Sequence, residues 1–343
     1  MTPNALDTEL PPDHRAVVFS LERGRPLLER VCRHLGVDPG AHEERDFEDG
    51  EHKIRPLQSV RERDVFVVQS LYSDTVLSVN DKAVRTLFFL AALRDAGAKR
   101  VTLLAPYLCY ARKDRRTKPR DPVSIRYLAT LFEAVGLDRI VTIDVHTPAA
   151  YENAFRIPAE RLTAAPLFVD ALCPRIGERD AVVVSPDAGG VKRAERFRQA
   201  LARRLGRSVA LTFIEKFRSE GVVWGGTVVG TVEGRVAIIL DDLISSGTTL
   251  AGAAAACYDR GAHAVYAGAT HGVFSAKAAR VLGESALDRI LILDTLPPDR
   301  LDATVREQGV EVLPCAPLLA ATIRRLHTGG SVVALFDEEG LHS

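Results

Sequence analysis

The stretch VAIILDDLISSGTT, residues 236–249, decides the fold. Its first five residues are apolar and mostly β-branched, which is typical of a strand that is covered on both faces. Asp241 and Asp242 follow directly, and four hydroxyl-bearing residues then surround Gly247. Because ligands bind at the carboxyl ends of the strands in parallel α/β proteins, these polar residues indicate a binding edge.

Apolar runs of the same kind recur along the chain, and helical stretches separate them. Most of these runs are continuous rather than alternating. They lie at residues 65–68, 101–104, 140–143, 182–184, 209–212, 265–268 and 290–293. Strands that alternate with helices predict an α/β fold whose sheets are mainly parallel and flanked by helices.

The helix after the first of these runs has a predicted start and face. Asn80 can cap it, and Val84, Leu87 and Phe88 then fall on one apolar side. Gly97 is expected to end it.

The two halves of the chain resemble each other. GAKRV at residues 97–101 is echoed by GAHAV at 261–265, and LDRI at 137–140 is repeated at 287–290. Both pairs precede an apolar run and occur in the same order. Internal similarity of this kind predicts a duplicated α/β domain with a boundary near residues 164–166.

Composition excludes several classes of function. The 343 residues carry 45 basic and 45 acidic side chains, so no overall field attracts nucleic acid or an anionic membrane. The five cysteines form no CxxC pair, which predicts reduced thiols. No signal peptide or membrane-spanning run is apparent, so the cytoplasm is the expected location.

The opening motif has the features of a phosphate site. Helix-start amides favour an anion, hydroxyls can donate to phosphate oxygens, and Gly247 permits close approach. Paired acids suit ribose hydroxyls. The alternative is a structural strand with a serine-rich helix cap, but two adjacent acids ending a buried strand need a further reason.

The same motif resembles the PRPP-binding motif of type I phosphoribosyltransferases and of ribose-phosphate pyrophosphokinases. Four further motifs resemble the pyrophosphokinases in the order of that family. They are FEDGE at residues 47–51, YLCYARKDRR at 107–116, DVH at 144–146 and SPDAGG at 185–190. The resemblance spans roughly residues 17–336, and several ordered motifs are more specific than one.

This resemblance implies two phosphoribosyltransferase-like domains, at residues 14–165 for ATP and 166–315 for ribose 5-phosphate, with a segment at 316–338 packing back. The implied reaction transfers the pyrophosphoryl group of ATP to ribose 5-phosphate, giving PRPP and AMP for nucleotide biosynthesis. Mg²⁺ is the implied cofactor. The implied assembly is a homo-oligomer, dimer-based and up to a hexamer, without nucleic acid or membrane.

The resemblance also implies roles for individual residues. Lys216 and Arg218 are the catalytic pair, on a segment that closes over the phosphates, and His146 and Asp187 hold magnesium. The implied ATP-binding residues are Phe47, Asp49, Glu51, Arg112, Lys113, Asp114 and His146. The implied ribose 5-phosphate-binding residues are Asp187, Asp241, Asp242, Ser245, Ser246, Gly247, Thr248 and Thr249.

Three residues depart from the family pattern. Lys113 replaces the usual glutamine, Ser245 an aspartate and Thr248 a glycine. A catalytically weak or silent regulatory paralogue therefore remains an alternative, and so does a phosphoribosyltransferase that consumes PRPP. Retention of Lys216 and Asp187 counts against the former, and the otherwise unexplained first half counts against the latter.

Overall fold

The computed structural model describes residues 8–11, 14–219, 222–297, 300, 301, 303 and 309–337, without the side chains of residues 216–226 and 337. The chain forms two compact units. The first contains the residues up to Leu162 together with Cys315–Leu335, and the second contains Thr163–Pro314 and the residues from Phe336 on.

The strands account for all eight predicted apolar runs and add several that the sequence did not reveal. In chain order they are β1 (Ala16–Phe19), β2 (His42–Asp46), β3 (His52–Pro56), β4 (Asp64–Val68), β5 (Arg100–Leu104), β6 (Arg139–Ile143), β7 (Ala159–Leu162), β8 (Ala181–Ser185), β9 (Ala210–Ser219), β10 (Val222–Val229), β11 (Val236–Ile244), β12 (Ala264–Gly272), β13 (Arg289–Leu293) and β14 (Val310–Leu313).

The helices of the described residues connect these strands. In chain order they are α1 (Arg25–Leu35), α2 (Val79–Asp95), α3 (Ser124–Ala134), α4 (Pro148–Ala154), α5 (Ala165–Ile176), α6 (Val191–Leu205), α7 (Thr248–Tyr258), α8 (Ala278–Gly283), α9 (Ala316–Thr328) and α10 (Ala334–Asp337).

Each unit is built on its own parallel sheet. The first sheet has the order β1-β4-β5-β6-β7, and all of its pairs are parallel. The second has the order β10-β9-β8-β11-β12-β13-β14, in which only the β9–β10 pair is antiparallel. A separate hairpin joins β2 to β3. The predicted fold class, two α/β domains with mainly parallel sheets flanked by helices, is confirmed.

Helix α2 differs from its predicted start and face. Its N-cap is Ser78, which exchanges hydrogen bonds with Asp81 in a capping box, so Asn80 lies inside the helix. Val84 and Phe88 are 45% and 57% exposed. Leu87 of the predicted face is buried, and so is the polar Lys82. The Lys82 ammonium lies 2.7 Å from Asp74 and 3.3 Å from the centre of the Tyr72 ring.

The C-terminal helix α9 packs on the first unit against α1. His327 Nδ1 lies 2.8 Å from Asp64 Oδ2, and Arg100 pairs with the same carboxylate. Arg100 also donates to the carbonyl of Leu326, 3.1 Å away. These contacts fix α9 at the amino ends of β4 and β5.

The duplication appears in matched hydrogen bonds at the two helix-to-strand junctions. Gly97 and Gly261 both have positive φ, and their carbonyls accept from Glu62 and Gly234 at 2.9 and 2.8 Å. Asp138 accepts from the amide of Val101 at 2.7 Å. Asp288 accepts from the amide of Val265, also at 2.7 Å. The same pattern of backbone hydrogen bonds therefore precedes β5 and β12, as the repeated sequences predicted.

None of the helices in the described part of the chain has the length and apolar character that a membrane span requires.

Candidate active site

Residues 245–247 form the loop between β11 and α7 in the second unit. Strand β11 ends at Ile244, residues 245–247 bend, and α7 begins at Thr248. The amide of Phe274 donates to the Ile244 carbonyl at 3.0 Å, and the amide of Ser275 donates to the Ser245 carbonyl at 2.9 Å. The neighbouring connection after β12 thus holds the loop in place from its first residues.

Gly247 is required by both conformation and space. Its φ is +79°, and a Cβ atom there would lie 2.6 Å from Leu282 Cδ2 on α8. The glycine precedes α7, and the first intrahelical bond runs from the Ala251 amide to the Gly247 carbonyl. The amides of the first turn therefore have no intrahelical acceptor and can bind an anion.

The hydroxyls around this turn are close together. Ser246 Oγ and Thr248 Oγ1 lie 2.9 Å apart. Ser245, Ser246 and Thr249 are partly buried, whereas Thr248 is exposed. The structure brings the predicted hydroxyl-bearing residues to one helix start, where they can donate to phosphate oxygens. Ser245 and Thr248, two of the three residues that depart from the expected family pattern, keep hydroxyl donors at this turn.

Asp241 and Asp242 lie near the carboxyl end of β11 and share one cation. Arg193 Nη1 lies 3.0 Å from Asp241 Oδ1, and Arg193 Nη2 lies 3.0 Å from Asp242 Oδ1. Burial, and then the neighbouring Asp242 charge, raise the pKa of Asp241 well above its usual range, while Arg193 opposes that rise. The site therefore combines two acids with a forked donor.

Sequence reasoning missed Arg193. It lies three residues after Gly190 of the SPDAGG motif, in the first turn of α6. Two features of the sequence could have indicated such a residue. Adjacent buried acids need a nearby cation. In addition, α6 follows β8 in the chain, and β8 is the parallel neighbour of β11. Several arginines in α6 meet that requirement on spacing alone, so only the fold selects Arg193.

Asp187 follows β8 at the same edge as the acid pair. Its Oδ1 accepts from the amide of Gly190 at 3.0 Å, and the Ser185 hydroxyl donates to its carbonyl at 2.6 Å. These contacts orient the side chain as the cap of a short 3₁₀ turn at Ala188–Gly190. A carboxylate is the kind of oxygen ligand that magnesium prefers, so the residue present fits that ion.

Lys216 and Arg218 lie on β9, which forms a hairpin with β10. The hairpin register shifts between Val223 and Gly226, which marks a bulge. The side chains of Lys216 and Arg218 are outside the described atoms, so their catalytic role stays a prediction. Since β9 pairs with β8, the backbone places both residues on the strand next to the one that leads to Asp187.

In the first unit, the FEDGE motif forms the tip of the β2–β3 hairpin. The amide of Phe47 donates to the Glu51 carbonyl at 2.9 Å, and Asp49 Oδ1 accepts from the Glu51 amide at 3.0 Å. Phe47 is 39% exposed, and the Arg45 guanidinium lies 4.9 Å from its ring centre. An exposed aromatic ring on a structured turn can stack on a planar base.

The basic segment after β5 is organised by Asp121. Its Oδ2 lies 2.6 Å from Lys113 Nζ and accepts from the amides of Thr117 and Lys118, each at 3.0 Å. The Lys113 hydrogen bond, followed by those of Thr117, lowers the pKa of Asp121. Arg112 is exposed and Asp114 partly buried. Lys113 is therefore committed to the loop itself, whereas Arg112 faces solvent.

His146 follows β6, the parallel neighbour of β5, and is exposed. The preceding Asp144 has a φ of +37°, which marks a strained turn at the strand end. His146 and Asp187 belong to different units, and their joint binding of magnesium stays a prediction. Within the described ranges, no cluster of three or more histidines, cysteines or acids could bind a metal ion.

None of the five cysteines, all of which lie in the described ranges, forms a disulfide bond. Cys109 lies in the YLCYARKDRR motif, but burial raises the pKa of its thiol to about 12. A thiol with so high a pKa stays protonated at neutral pH and is a poor nucleophile.

Comparisons with known proteins agree along almost the whole chain. The model of the N-terminal domain of ribose phosphate pyrophosphokinase matches residues 16–136, and that of the phosphoribosyl synthetase-associated domain matches residues 224–337.

Individual relatives cover both units. The chain is 38% identical over 321 residues to a ribose-phosphate pyrophosphokinase from Hyphomonas neptunium, covering 93% of this chain and 99% of that protein. A relative of the same name from Corynebacterium efficiens is 36% identical over 95% of this chain and 97% of its own length. The crystal structure of phosphoribosylpyrophosphate synthetase from Mycobacterium smegmatis matches with a TM-score of 0.82 and 36% identity, covering 92% of this chain and 99% of that one.

Proposed function

Because the chain belongs to the ribose-phosphate pyrophosphokinase family, we propose that it transfers the pyrophosphoryl group of ATP to ribose 5-phosphate, giving PRPP and AMP. The observation that carries this proposal is the edge of the second sheet. There, strand β11 carries two acids, and the loop and helix α7 that follow it directly carry four hydroxyl groups. This arrangement supplies acceptors for sugar hydroxyls and donors for a phosphate.

The sugar phosphate binds in the second unit. The 5-phosphate accepts hydrogen bonds from the first-turn amides of α7 and from the hydroxyls of Ser245, Ser246, Thr248 and Thr249. Asp241 and Asp242 accept hydrogen bonds from the ribose hydroxyls. Fixing both ends of the substrate orients its 1-hydroxyl, and orientation is the main contribution that an enzyme makes to phosphoryl-type transfer.

The ATP-binding residues come from the first unit. Phe47 stacks on the base, with Asp49 and Glu51 beside it, and Arg112 binds the phosphates together with His146. Lys113 and Asp114 are the other proposed ATP-binding residues of this loop, in which Lys113 also pairs with Asp121. Lys216 and Arg218 stabilise the charge that develops on the transferring group. Asp187 and His146 are the residues that would hold magnesium, which would further neutralise the charge of the phosphates.

Two alternative functions predict different products from this proposal. A phosphoribosyltransferase would consume PRPP and leave the first unit, with its basic loop and FEDGE hairpin, without a use. A silent regulatory paralogue would bind ligands without forming product. The presence of Asp241, Asp242, Asp187 and a helix start free of bulky residues supports an active enzyme.

The deciding experiment incubates the purified chain with ATP, magnesium and ribose 5-phosphate and measures PRPP and AMP together. We expect equimolar formation of both, and loss of both in Lys216→Ala. AMP without PRPP would indicate hydrolysis, and neither product despite binding of ribose 5-phosphate would favour the regulatory paralogue.

The remaining proposals concern the assembly and its location. We propose a homo-oligomer built from dimers and a cytoplasmic protein. Light scattering coupled to size exclusion at micromolar concentration measures the mass directly. A mass near the 37.4 kDa of one chain would contradict the oligomer.

A further inference from the structure

Arg193 occupies a position that the stability of its own helix does not explain. It is the third residue of α6, where the helix dipole disfavours a cation. The buried face of α6 consists of Ala194, Phe197, Ala200 and Leu201, so Arg193 is not part of the apolar contact. Its side chain is 24% exposed and turns to β11 instead.

The contact with β11 has the geometry of a fork. The two terminal nitrogens of one guanidinium each lie 3.0 Å from a different carboxylate, Asp241 and Asp242. The amide of Asp242 also donates to Asp241 Oδ1 at 2.8 Å. A planar guanidinium that binds two groups at once fixes the distance and the angle between them.

Without this cation, the two acids would repel each other. The side chains of Asp241 and Asp242 are 21% and 4% exposed, so water screens the pair only weakly. Burial and the neighbouring charge both favour a protonated carboxyl group, and Arg193 acts in the opposite direction. A protonated or rotated carboxyl group loses acceptor capacity toward a sugar hydroxyl.

We propose that Arg193 is a positioning residue for the sugar substrate, which holds Asp241 and Asp242 as a fixed pair of acceptors for the ribose hydroxyls. It acts through the two acids and does not itself contact the reacting atoms. The inference rests on the proposed function of this edge as the ribose 5-phosphate site. It adds a residue from α6 to a site otherwise formed by β11 and α7.

The test compares Arg193→Gln, Arg193→Lys and the control Arg196→Gln in the full chain. Arg196 lies on the same helix, three residues further on, and is exposed. We expect Arg193→Gln to raise KM for ribose 5-phosphate roughly 10- to 100-fold, the range for losing a hydrogen bond to a charged group. KM for ATP should stay within about twofold, since only the sugar side is disturbed.

The lysine variant separates positioning from charge alone. Lysine keeps the positive charge but cannot bind both carboxylates as a planar fork. We expect an intermediate KM for ribose 5-phosphate in Arg193→Lys and an unchanged one in Arg196→Gln. If lysine restores the wild-type value, charge suffices and the positioning role is wrong.

A mutant cycle with Asp241→Asn tests whether Arg193 acts through that acid. We expect the double variant Arg193→Gln/Asp241→Asn to lose less than the product of the two single losses. Multiplicative losses, an equal rise of both KM values in Arg193→Gln, or an unchanged or lowered KM for ribose 5-phosphate would each overturn the proposal. Circular dichroism verifies that every variant folds.

Calorimetric binding of ribose 5-phosphate keeps this inference separate from the catalytic proposal. If the wild type forms no PRPP, the proposed function fails, but weaker binding to Arg193→Gln than to Arg196→Gln would still support the positioning role. Equal binding to both variants would reject it, whatever the activity.

Discussion

Strand β4 of the first unit and strand β11 of the second occupy equivalent places, yet their ends carry different chemistry. Asp64 of β4 pairs with Arg100, and Val236 of β11 pairs with Ala264, each partner lying three residues after its junction glycine. Counting from these pairs, Gln69-Ser70 in the first unit corresponds to Asp241-Asp242 in the second. The duplicated scaffold thus presents a neutral pair at one carboxyl edge and an acidic pair at the other.

The neutral pair serves the backbone around it. Gln69 Oε1 accepts from the Leu21 amide at 3.2 Å, and its Nε2 donates to the Ser70 carbonyl at 3.0 Å. Ser70 Oγ accepts from the Tyr107 amide at 3.3 Å. Both residues are buried. The same strand position therefore stabilises local structure in one unit, whereas in the other it presents charge that needs Arg193.

The largest expected effect on activity comes from giving β11 the neutral pair that β4 has at its carboxyl end. Replacing Asp241 and Asp242 by the first unit's residues, as Asp241→Gln/Asp242→Ser, exchanges both charged sugar acceptors for neutral groups and removes the two carboxylates that Arg193 binds. We expect kcat/KM for ribose 5-phosphate to fall roughly 100- to 10,000-fold, the range for losing two charge-assisted hydrogen bonds at about 1.5–3 kcal/mol each. Coupled detection of PRPP measures it.

The thermal midpoint of this double variant distinguishes a loss of substrate binding from a loss of folding. Removing two adjacent buried acids relieves their repulsion, which offsets the loss of their pairing with Arg193, whose side chain is 24% exposed and can turn to water. The thermal midpoint should therefore stay near that of the wild type even as activity disappears. A collapse of stability together with activity would mean that the acids are structural, as Gln69 and Ser70 are in the first unit.

The sequence predicted the strands of both units for a clear physical reason. Continuous apolar runs identify strands covered on both faces, and all eight such runs are strands. Two of the strands that the sequence did not reveal, HEERD in β2 and AERL in β7, contain polar residues and have a mixed burial pattern, so periodicity alone carries no signal for them. Strand β1 is different, because its AVVF run is continuous and fully buried and could have been found by the same criterion.

The site was predictable where its residues are consecutive and was missed where they meet only by folding. The hydroxyls of residues 245–249 and the acid pair lie within one motif, whereas Arg193 is 48 residues away from Asp241. The buried face of helix α2 was predicted only in part. Leu87 is buried as its apolar spacing indicated, whereas Val84 and Phe88 are exposed. Lys82 is buried because Asp74 and Tyr72 bind its ammonium.

The next largest effect is on stability, and it concerns the amino ends of β4 and β11. Asp64 binds Arg100 and His327, whereas its counterpart Val236 is buried among apolar residues. Asp64→Val gives β4 the residue of β11 and removes the carboxylate that Arg100 and His327 share. We expect a loss of about 2 kcal/mol, between the values for exposed and buried ion pairs.

Thermal unfolding measures this loss, and kcat/KM for both substrates should stay within about twofold because the change lies at the opposite edge. Asp64→Asn is the matched variant, since it keeps an acceptor for Arg100 and should lose less. Equal losses in the two variants would show that shape rather than pairing matters at this position.

A third effect separates the loop glycine from a helix glycine. Gly247→Ala places a Cβ 2.6 Å from Leu282 at a φ of +79°, and we expect a loss of about 2 kcal/mol with a raised KM for ribose 5-phosphate. Gly252 lies inside α7, and a Cβ there would meet no atom within 4 Å. Gly252→Ala should instead stabilise the protein by about 0.5–1 kcal/mol. Thermal midpoints that move in the same direction would contradict this contrast.

The smallest effect lies at the matched junctions, where Asp138 and Asp288 have different side-chain partners. Arg94 lies 2.9 Å from Asp138, and the Tyr258 hydroxyl lies 2.5 Å from Asp288. Burial, and then the hydrogen bond to Asp288, raise the pKa of Tyr258 from 10.0 to about 12. The protonated hydroxyl is the stabilised form, so its contribution is complete below pH 10 and disappears as the pH rises to about 12.

We therefore expect Tyr258→Phe to cost about 1 kcal/mol at pH 8, the usual value of one hydrogen bond, and to cost progressively less above pH 10. Arg94→Met removes the corresponding donor of the first unit. Because arginine stays charged throughout this range, its effect should not fade in the same way. Unfolding of both variants and the wild type between pH 8 and about 11.5 measures the two differences. A Tyr258→Phe difference near zero at pH 8 would show that Asp288 needs only the Val265 amide. A non-zero difference that stays constant up to about pH 11.5 would contradict the raised pKa of Tyr258 as the source of the pH dependence.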